Sequence, residues 1–467
     1  MRSRRGLCSL PKVASRNGTF ASARRSTITG LLTIVLGATF AVAPSSATSS
    51  PTATSLASDG AGYCAIVKGG EAYCWGPNAD GSLGSGSTVT SSNVPVKVKG
   101  LTGAVSVVGD LNDNGYCAVL RSGAVNCWGY NGDGQLGNGS SVAFSNVAVP
   151  VTGLTGVKSL ASDGFAFCAV LEAGTVSCWG NNADGALGYG NDGTNDSDVP
   201  VAVTGLTGAL TVVGVTFNDG FCAVLNSGGV SCWGTNGSGQ LGNGSTISFS
   251  PSPVVATGVK HATTVGSNGD DVCAGLKSGG VQCWGYDGSG QLGSGSAGTT
   301  ARSPVAVAGK PTVSALLGNE SEGGSFCAVL KRGGVSCWGG NGFGELGNGG
   351  SEVYSDSPVT AKGVTRAKTV VAGIGSYCAA LKSGDVSCWG NNTDGTLGVG
   401  STEQSSNVPV TVKGLSGVTA LGGTGNGYCA VEGKGGVECW GDNLDGLLGS
   451  GSPELFSSSP VAVKGLR

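Results

Sequence analysis

The sequence predicts an all-β fold, a single β-propeller of eight four-stranded blades, and three observations carry that prediction. All eight tryptophans hold one position in a repeat: Trp75, Trp128, Trp179, Trp233, Trp284, Trp338, Trp389 and Trp440. Their separations of 53, 51, 54, 51, 54, 51 and 51 residues form a period of the length used by propellers and solenoids. Each unit holds short apolar stretches bounded by Gly, Asn, Asp and Pro, the pattern of a propeller blade. The 89 glycines among 467 residues, with 12% charged residues, ask for many tight turns. Nothing marks one unit as degenerate, so eight blades are expected, with seven blades and a spare unit as the alternative.

The central element of each unit is a hairpin, written in the second unit as CAVLRSGAVNCWGYNGDGQLGNG from Cys117 to Gly139. Two cysteines stand ten apart, and a glycine follows the first by six: Gly70, Gly123, Gly174, Gly228, Gly279, Gly333, Gly384 and Gly435. A three-residue loop such as Arg121-Ser122-Gly123 fits a type I turn closed by a residue with positive φ, a conformation that glycine adopts without steric cost. Counting back from that turn places Cys117 directly opposite Cys127. Opposed Cα atoms in an antiparallel pair lie about 4.5–5.5 Å apart, within the roughly 4.4–6.8 Å that a disulfide accepts. The expected pairs are Cys64 with Cys74, Cys117 with Cys127, Cys168 with Cys178, Cys222 with Cys232, Cys273 with Cys283, Cys327 with Cys337, Cys378 with Cys388 and Cys429 with Cys439.

After each tryptophan comes Gly-x-Asn-x-Asp-Gly-x-Leu-Gly, as in Gly76 to Gly84, then a variable polar loop. An apolar strand follows, such as Val94-Pro-Val-Lys-Val-Lys-Gly100, and a further strand like Val105 to Val108 leads to the next hairpin. The Val-Pro-Val strand has its last copy at Ser459-Pro-Val-Ala-Val-Lys-Gly465, and the first unit has none before it. A C-terminal strand completing the N-terminal blade would close the ring and remove its open edge.

Residues 1–47 read as an export signal. Basic residues run to Arg24-Arg25, an apolar stretch spans Ile28 to Val42, and small residues at Ala41-Val42-Ala43 or Ser45-Ser46-Ala47 offer cleavage sites. Retention of this segment as an anchor is the alternative, although the stretch is short and broken for a membrane span. Residues 48–55 read as a Ser/Thr/Pro linker and 56–467 as the propeller. Of 17 cysteines, 16 form the pairs and Cys8 lies in the export segment, so the mature chain has the even count of an oxidised secreted protein.

The repeat CAVLxSGxVxCWGxNxxGQLGxG with a following SPVxVxG resembles that of the regulator of chromosome condensation family. The match covers about Leu56 to Arg467. The resemblance implies a β-propeller, usually of seven blades, so this chain departs by one. It is similar to secreted bacterial, alpha-tubulin-suppressor-like members. Founding members resemble exchange factors for a small nuclear GTPase. The family's common histidine two places before each first cysteine is replaced here by Gly62, Gly115, Ala166, Gly220, Asp271, Ser325, Ser376 and Gly427, and no inserted loop resembles an exchange wedge. With an export signal, exchange activity is the least favoured reading.

No catalytic constellation stands out. His261 is the single histidine, the thiols are committed to pairs, and no carboxylate pair stands apart from the repeat. The chain therefore reads as a non-enzyme without cofactor. Asp80, Asp133, Asp184, Asp394 and Asp445 sit in Asn-x-Asp-Gly turns, where turn formation is favoured over metal ligation because Ser238, Ser289 and Phe343 replace them elsewhere. The candidate binding residues are acids just before the first cysteine of each unit: Asp59, Asp113, Asp163, Asp219, Asp270 and Glu320, joined by Asp110, Asp271 and Glu322. They occupy equivalent connections, so they are expected on one rim, and they vary between units as binding loops on a rigid scaffold do.

Formal net charge is −3; the first fifty residues hold seven cations and no acid, leaving 19 cations against 29 acids, net −10, in the remainder. An acidic body without a basic stripe argues against nucleic acid, and against a membrane unless the N-terminal segment is retained. The reading is a secreted, non-catalytic binding scaffold for a protein or glycan partner outside the cell, possible as an inhibitor-like protein. A carbohydrate-active propeller enzyme is the alternative.

Overall fold

The computed structural model describes residues 50–467 apart from 111, 113–114, 192–194, 216–218 and 320–323. It contains eight four-stranded antiparallel sheets, each made of four strands consecutive in sequence. The fold is an eight-bladed β-propeller. In the first blade the strands are Ala53–Ser58, Tyr63–Val67, Ala72–Pro77 and Ser91–Lys97. The first strands of successive blades contact one another around the ring, so they form its inner wall. The Val-Pro-Val strands form the outer edges and are only half-buried, in keeping with the proline that each outer edge tolerates.

The hairpin register is the one counted from the turn. Cys64 pairs with Cys74 and Cys117 with Cys127, and so on through the eight blades. Every cysteine pair has Cα atoms 4.1 Å apart and sulfurs at bonding distance. The spacing is shorter than expected for a reason visible at the turn. Val67 N–H donates to Glu71 O, so by alternation the Cys64/Cys74 pair falls at a site without ladder hydrogen bonds, where strands approach most closely. Gly70 and Gly123 have φ of 85° and 78°, as the loop requires.

Ring closure differs from the expected strand exchange. The C-terminal strand Phe456–Ala462 pairs with Val437–Asp442 of its own hairpin. The strand that the first unit needs is Ala53–Ser58, which pairs with Tyr63–Val67 and begins within the stretch expected as a linker. Its Ala-Thr-Ser-Leu-Ala-Ser sequence is small and hydroxyl-rich, a composition shared by strand and linker. The ends are therefore joined by side-chain and backbone bonds between complete blades. Arg467 N–H donates to Pro51 O at 2.9 Å, Gly451 N–H to Asn93 O at 2.8 Å, and Tyr63 O–H to Gly427 O at 3.0 Å.

One contact repeats at every blade boundary, the closing one included. The indole Nε1–H of each tryptophan donates to a carbonyl in the Asp-Gly-x-Leu-Gly turn of the preceding blade. Trp128 reaches Ser82 O, Trp179 reaches Gln135 O and Trp75 reaches Leu447 O, at 2.8, 2.8 and 2.9 Å. In seven blades the indole also stacks on the aromatic residue before the first cysteine, as Tyr63 does on Trp75 with centroids 5.9 Å apart. The tryptophans are fully buried and pack blade against blade. The glycine ending the turn makes room: a Cβ on Gly137 would lie 2.8 Å from Trp179 Cδ1, at a φ of 61°.

This contact yields a paired test. Gly137→Ala must pay for both the positive φ and the clash with Trp179. Gly153→Ala, at a φ of 69° with open space around its Cβ position, pays only about 1–2 kcal/mol for conformation. Chemical denaturation of the two variants should show Gly137→Ala less stable than Gly153→Ala by roughly 1–3 kcal/mol, the usual cost of overpacking. Equal destabilisation would remove the indole pocket from the explanation.

Candidate functional site

Antiparallel strands divide the connections between two ends of the ring. In every blade the first-to-second and third-to-fourth connections emerge at one end. The second-to-third hairpins and the connections to the next blade emerge at the other. The sequence that fills these two ends differs in charge, and this difference defines the candidate site.

At the first end, the connections contain acids and not one Lys, Arg or His in any blade. The nearby cation Arg302, in the strand Ala301–Ala306, lies across the adjacent turn and donates to Asn236 O at 3.2 Å. The exposed acids of this end include Asp184, Asp198, Asp270, Glu352, Glu403 and Glu454. Large apolar side chains stand among them: Val142, Ile247, Phe343, Val353, Leu444 and Leu455 are exposed, Val353 by 72% and Leu455 by 69%. The turns behind them are rigid. Asn131 Oδ1 accepts from Leu136 N–H at 2.9 Å while its Nδ2 donates to Ser140 O and Val142 O at 2.8 and 2.7 Å. Among the described residues no group of three or more His, Cys, Asp or Glu is placed to hold a metal.

Of the six acids expected to form a binding rim that fall among the described residues, four are not on the surface. Asp59, Asp110 and Asp163 are exposed by only 2, 1 and 0%, and Asp271 is buried as well. Asp59, Asp110 and Asp163 sit where the inner strand ends and Asp271 where the second strand begins, so each short carboxylate closes its own turn instead of facing a partner. Asp59 Oδ1 accepts from Gly62 N–H at 2.6 Å, and Asp163 Oδ1 from Phe165 and Ala166 N–H at 3.0 and 2.8 Å. Asp271 Oδ2 accepts from Asn268 Nδ2 at 2.9 Å. Asp219 is half-buried and Asp270 is exposed, which leaves these two in the accessible set. Asp113, Glu320 and Glu322 lie outside the described residues. Other accessible acids, Asp184, Glu352, Glu403 and Glu454, lie in the third-to-fourth connections, where the sequence assigns Asp184 to a turn and singles out none of the other three.

Asp59 and Asp163 occupy equivalent places with different surroundings. The hydroxyl of Tyr116, from the next blade, lies beside the Asp59 carboxylate. The residue corresponding to Tyr116 at Asp163 is Phe221, which has no hydroxyl, and Asp163 Oδ2 is left without a partner. Burial pushes the Asp163 carboxyl up to about 7, against the lowering effect of the Phe165 and Ala166 N–H donors.

The second end is basic. Hairpin tips carry Lys68, Arg121, Lys277, Lys331, Arg332, Lys382 and Lys434, and the blade-to-blade connections add Lys260, Lys310 and Arg366, all exposed. The expectation of an acidic body without a basic stripe fails here. These cations are far apart in sequence, but the repeat returns them to one end of the ring, where their charges add. Backbone bonds fix neighbours side by side: Lys277 N–H donates to His261 O and Lys382 N–H to Arg366 O, both at 2.8 Å. Among the described residues the structure holds one salt bridge, Lys97 with Glu71 at 2.6 Å, so the other basic tips are not neutralised internally. The signal was present in the sequence as position within the repeat, which a search for contiguous basic runs does not register.

Comparison with known proteins follows from this architecture. The regulator of chromosome condensation repeat matches residues 69–109, 173–225 and 383–424. The chain carries regulator of chromosome condensation repeats. It is 28% identical to the ultraviolet-B receptor UVR8 of Arabidopsis thaliana over 378 residues, covering 79% of this chain and 84% of that one. It is also 28% identical over 355 residues to the human E3 ubiquitin-protein ligase HERC2, of which it spans only 7%. Among solved structures, human WBSCR16 aligns with a TM-score of 0.60 at 20% identity, covering 77% of this chain and 97% of that one. Prp20p of Saccharomyces cerevisiae, described with binding properties toward Gsp1p and histones, aligns with a TM-score of 0.59 at 19% identity, covering 77% and 90%. These structures share the fold.

The Asp163 environment makes a pH-dependent prediction. Because its carboxyl is raised in the folded state, the folded protein retains a proton that the unfolded chain releases near the ordinary 3.8. The stability linked to that proton is present at low pH and lost as pH rises through about 7. Urea denaturation should therefore find Asp163→Asn close to wild type near pH 4 and more stable above pH 7, by up to roughly 4 kcal/mol at about 1.4 kcal/mol per unit. A constant difference across this range would contradict the assignment.

Proposed function

We propose that this chain is a non-catalytic binding scaffold that works outside the cell in an oxidising setting and receives a protein partner on its acidic face. The observation that supports this most is the crowding of exposed apolar and aromatic side chains into the third-to-fourth connections. Val89, Val142, Ile247, Phe343, Val353 and Leu455 all stand there among acids, on turns held by buried asparagines. Protein interfaces use such apolar cores within a polar rim. A cationic partner fits the surrounding charge. The structural relative Prp20p has been solved bound to Kap60, which supports a protein partner for a propeller of this fold.

The oxidising setting is supported by eight cysteine pairs at bonding distance in equivalent hairpins. As bonds, each closes a short loop and contributes at most about 3 kcal/mol. The export segment at residues 1–47 is part of the same reading, and it lies outside the described residues. Among the described residues no helix is long and apolar enough to cross a membrane.

Two measurements test this reading. Non-reducing peptide mapping of protein recovered from culture fluid should show links only between cysteines ten residues apart; free thiols throughout would remove the oxidising setting. Affinity capture from the same fluid should recover a partner that is lost by roughly tenfold or more with Val142→Ser/Ile247→Ser/Val353→Ser/Leu455→Ser, as when interface anchors are removed. Equal recovery by wild type and variant would exclude this face.

A further inference from the structure

We propose that the basic face docks on an anionic phospholipid bilayer. Its densest part spans three consecutive blades, where Lys260, Lys277, Lys331, Arg332, Arg366 and Lys382 are exposed on hairpin tips and blade-to-blade connections. None of the six is in an ion pair among the described residues. These tips all end at one end of a rigid ring, so a planar surface meets them together, whereas a narrow rod meets only part of the arc.

The composition of the patch selects the occupant. Lysine predominates, a compact hydrated charge suited to diffuse attraction more than to bidentate recognition. The exposed aromatic side chains Phe144, Tyr286, Phe343, Tyr354 and Phe456 belong to the opposite end of the strands. Protein interfaces are enriched in aromatics and depleted of lysine, and single-stranded nucleic acid is held by aromatic stacking platforms. This face offers neither. A bilayer with anionic headgroups asks only for clustered cations within about 10 Å of its surface.

Repulsion of the acidic face from the same headgroups fixes the orientation and leaves that face open to solvent.

The test is vesicle co-sedimentation of the full chain, with vesicles of phosphatidylcholine alone or with about one third phosphatidylglycerol, the anionic component such patches require. The variant Lys260→Gln/Lys277→Gln/Lys331→Gln/Arg366→Gln/Lys382→Gln retains residues 1–49, so any difference reports the arc. Wild type should bind the anionic vesicles, and the variant should bind them at least roughly tenfold more weakly with unchanged tryptophan fluorescence. The control Asp394→Asn/Glu403→Gln/Asp445→Asn should bind as tightly as wild type or more so, and higher salt should release the protein. Equal partition of wild type and arc variant would overturn the proposal. So would arc-dependent binding to a duplex oligonucleotide or to polyglutamate that exceeds binding to the vesicles.

Discussion

The indole of each blade, seated in the glycine turn of the blade before it, is the contact on which the structure depends. A four-stranded sheet alone is only marginally stable, and its apolar faces must be covered by neighbours. The tryptophan supplies that cover and a direction at once, because its Nε1–H finds one carbonyl in the preceding turn. The turn must then end in a glycine, since the indole occupies the space of a Cβ. The cysteine pair sits one residue before the tryptophan, at the closest approach of the two hairpin strands. Repeated eight times, these demands leave few of the core positions free to vary.

What varies is thereby pushed to the two ends, and there the molecule is electrically polarised. Connections between first and second and between third and fourth strands are free of cations, while hairpin tips and blade-to-blade connections collect them. Net charge conceals this arrangement. A chain with 29 acids and 19 cations beyond residue 50 is better described as a disc with an acidic, apolar-studded face and a lysine-rich one. The two faces suit different partners, and a rigid ring keeps them apart.

The repeat made much of this fold legible. Position of Cys, Gly and Trp within the period gave the hairpin register and the blade count, because each position had one steric solution. The ring closure was missed for a compositional reason: Ala53–Ser58 is small and hydroxyl-rich like a linker, yet it is an inner-wall strand. Asp59 and Asp163 are buried where the sequence suggests an open rim, because a short acid before a glycine reads the same whether it faces solvent or caps its own turn. Asp163 does the second, and only the structure shows that Phe221 stands where its equivalent Asp59 has Tyr116. The basic face was invisible to any scan along the chain, since Lys382 and Arg366, like Lys277 and His261, become neighbours only through the return of the repeat.

The central claim is that one indole contact, present at all eight boundaries including the closing one, holds complete blades into a ring. Nuclear magnetic resonance of protein labelled with 15N-tryptophan measures it directly through hydrogen exchange at Nε1–H. The account predicts eight resolved indole signals, all protected, with Trp75 at the closing boundary protected like the other seven. Rapid exchange at Trp75 alone, with the others protected, would show that the ring is not closed in this way and would contradict the account.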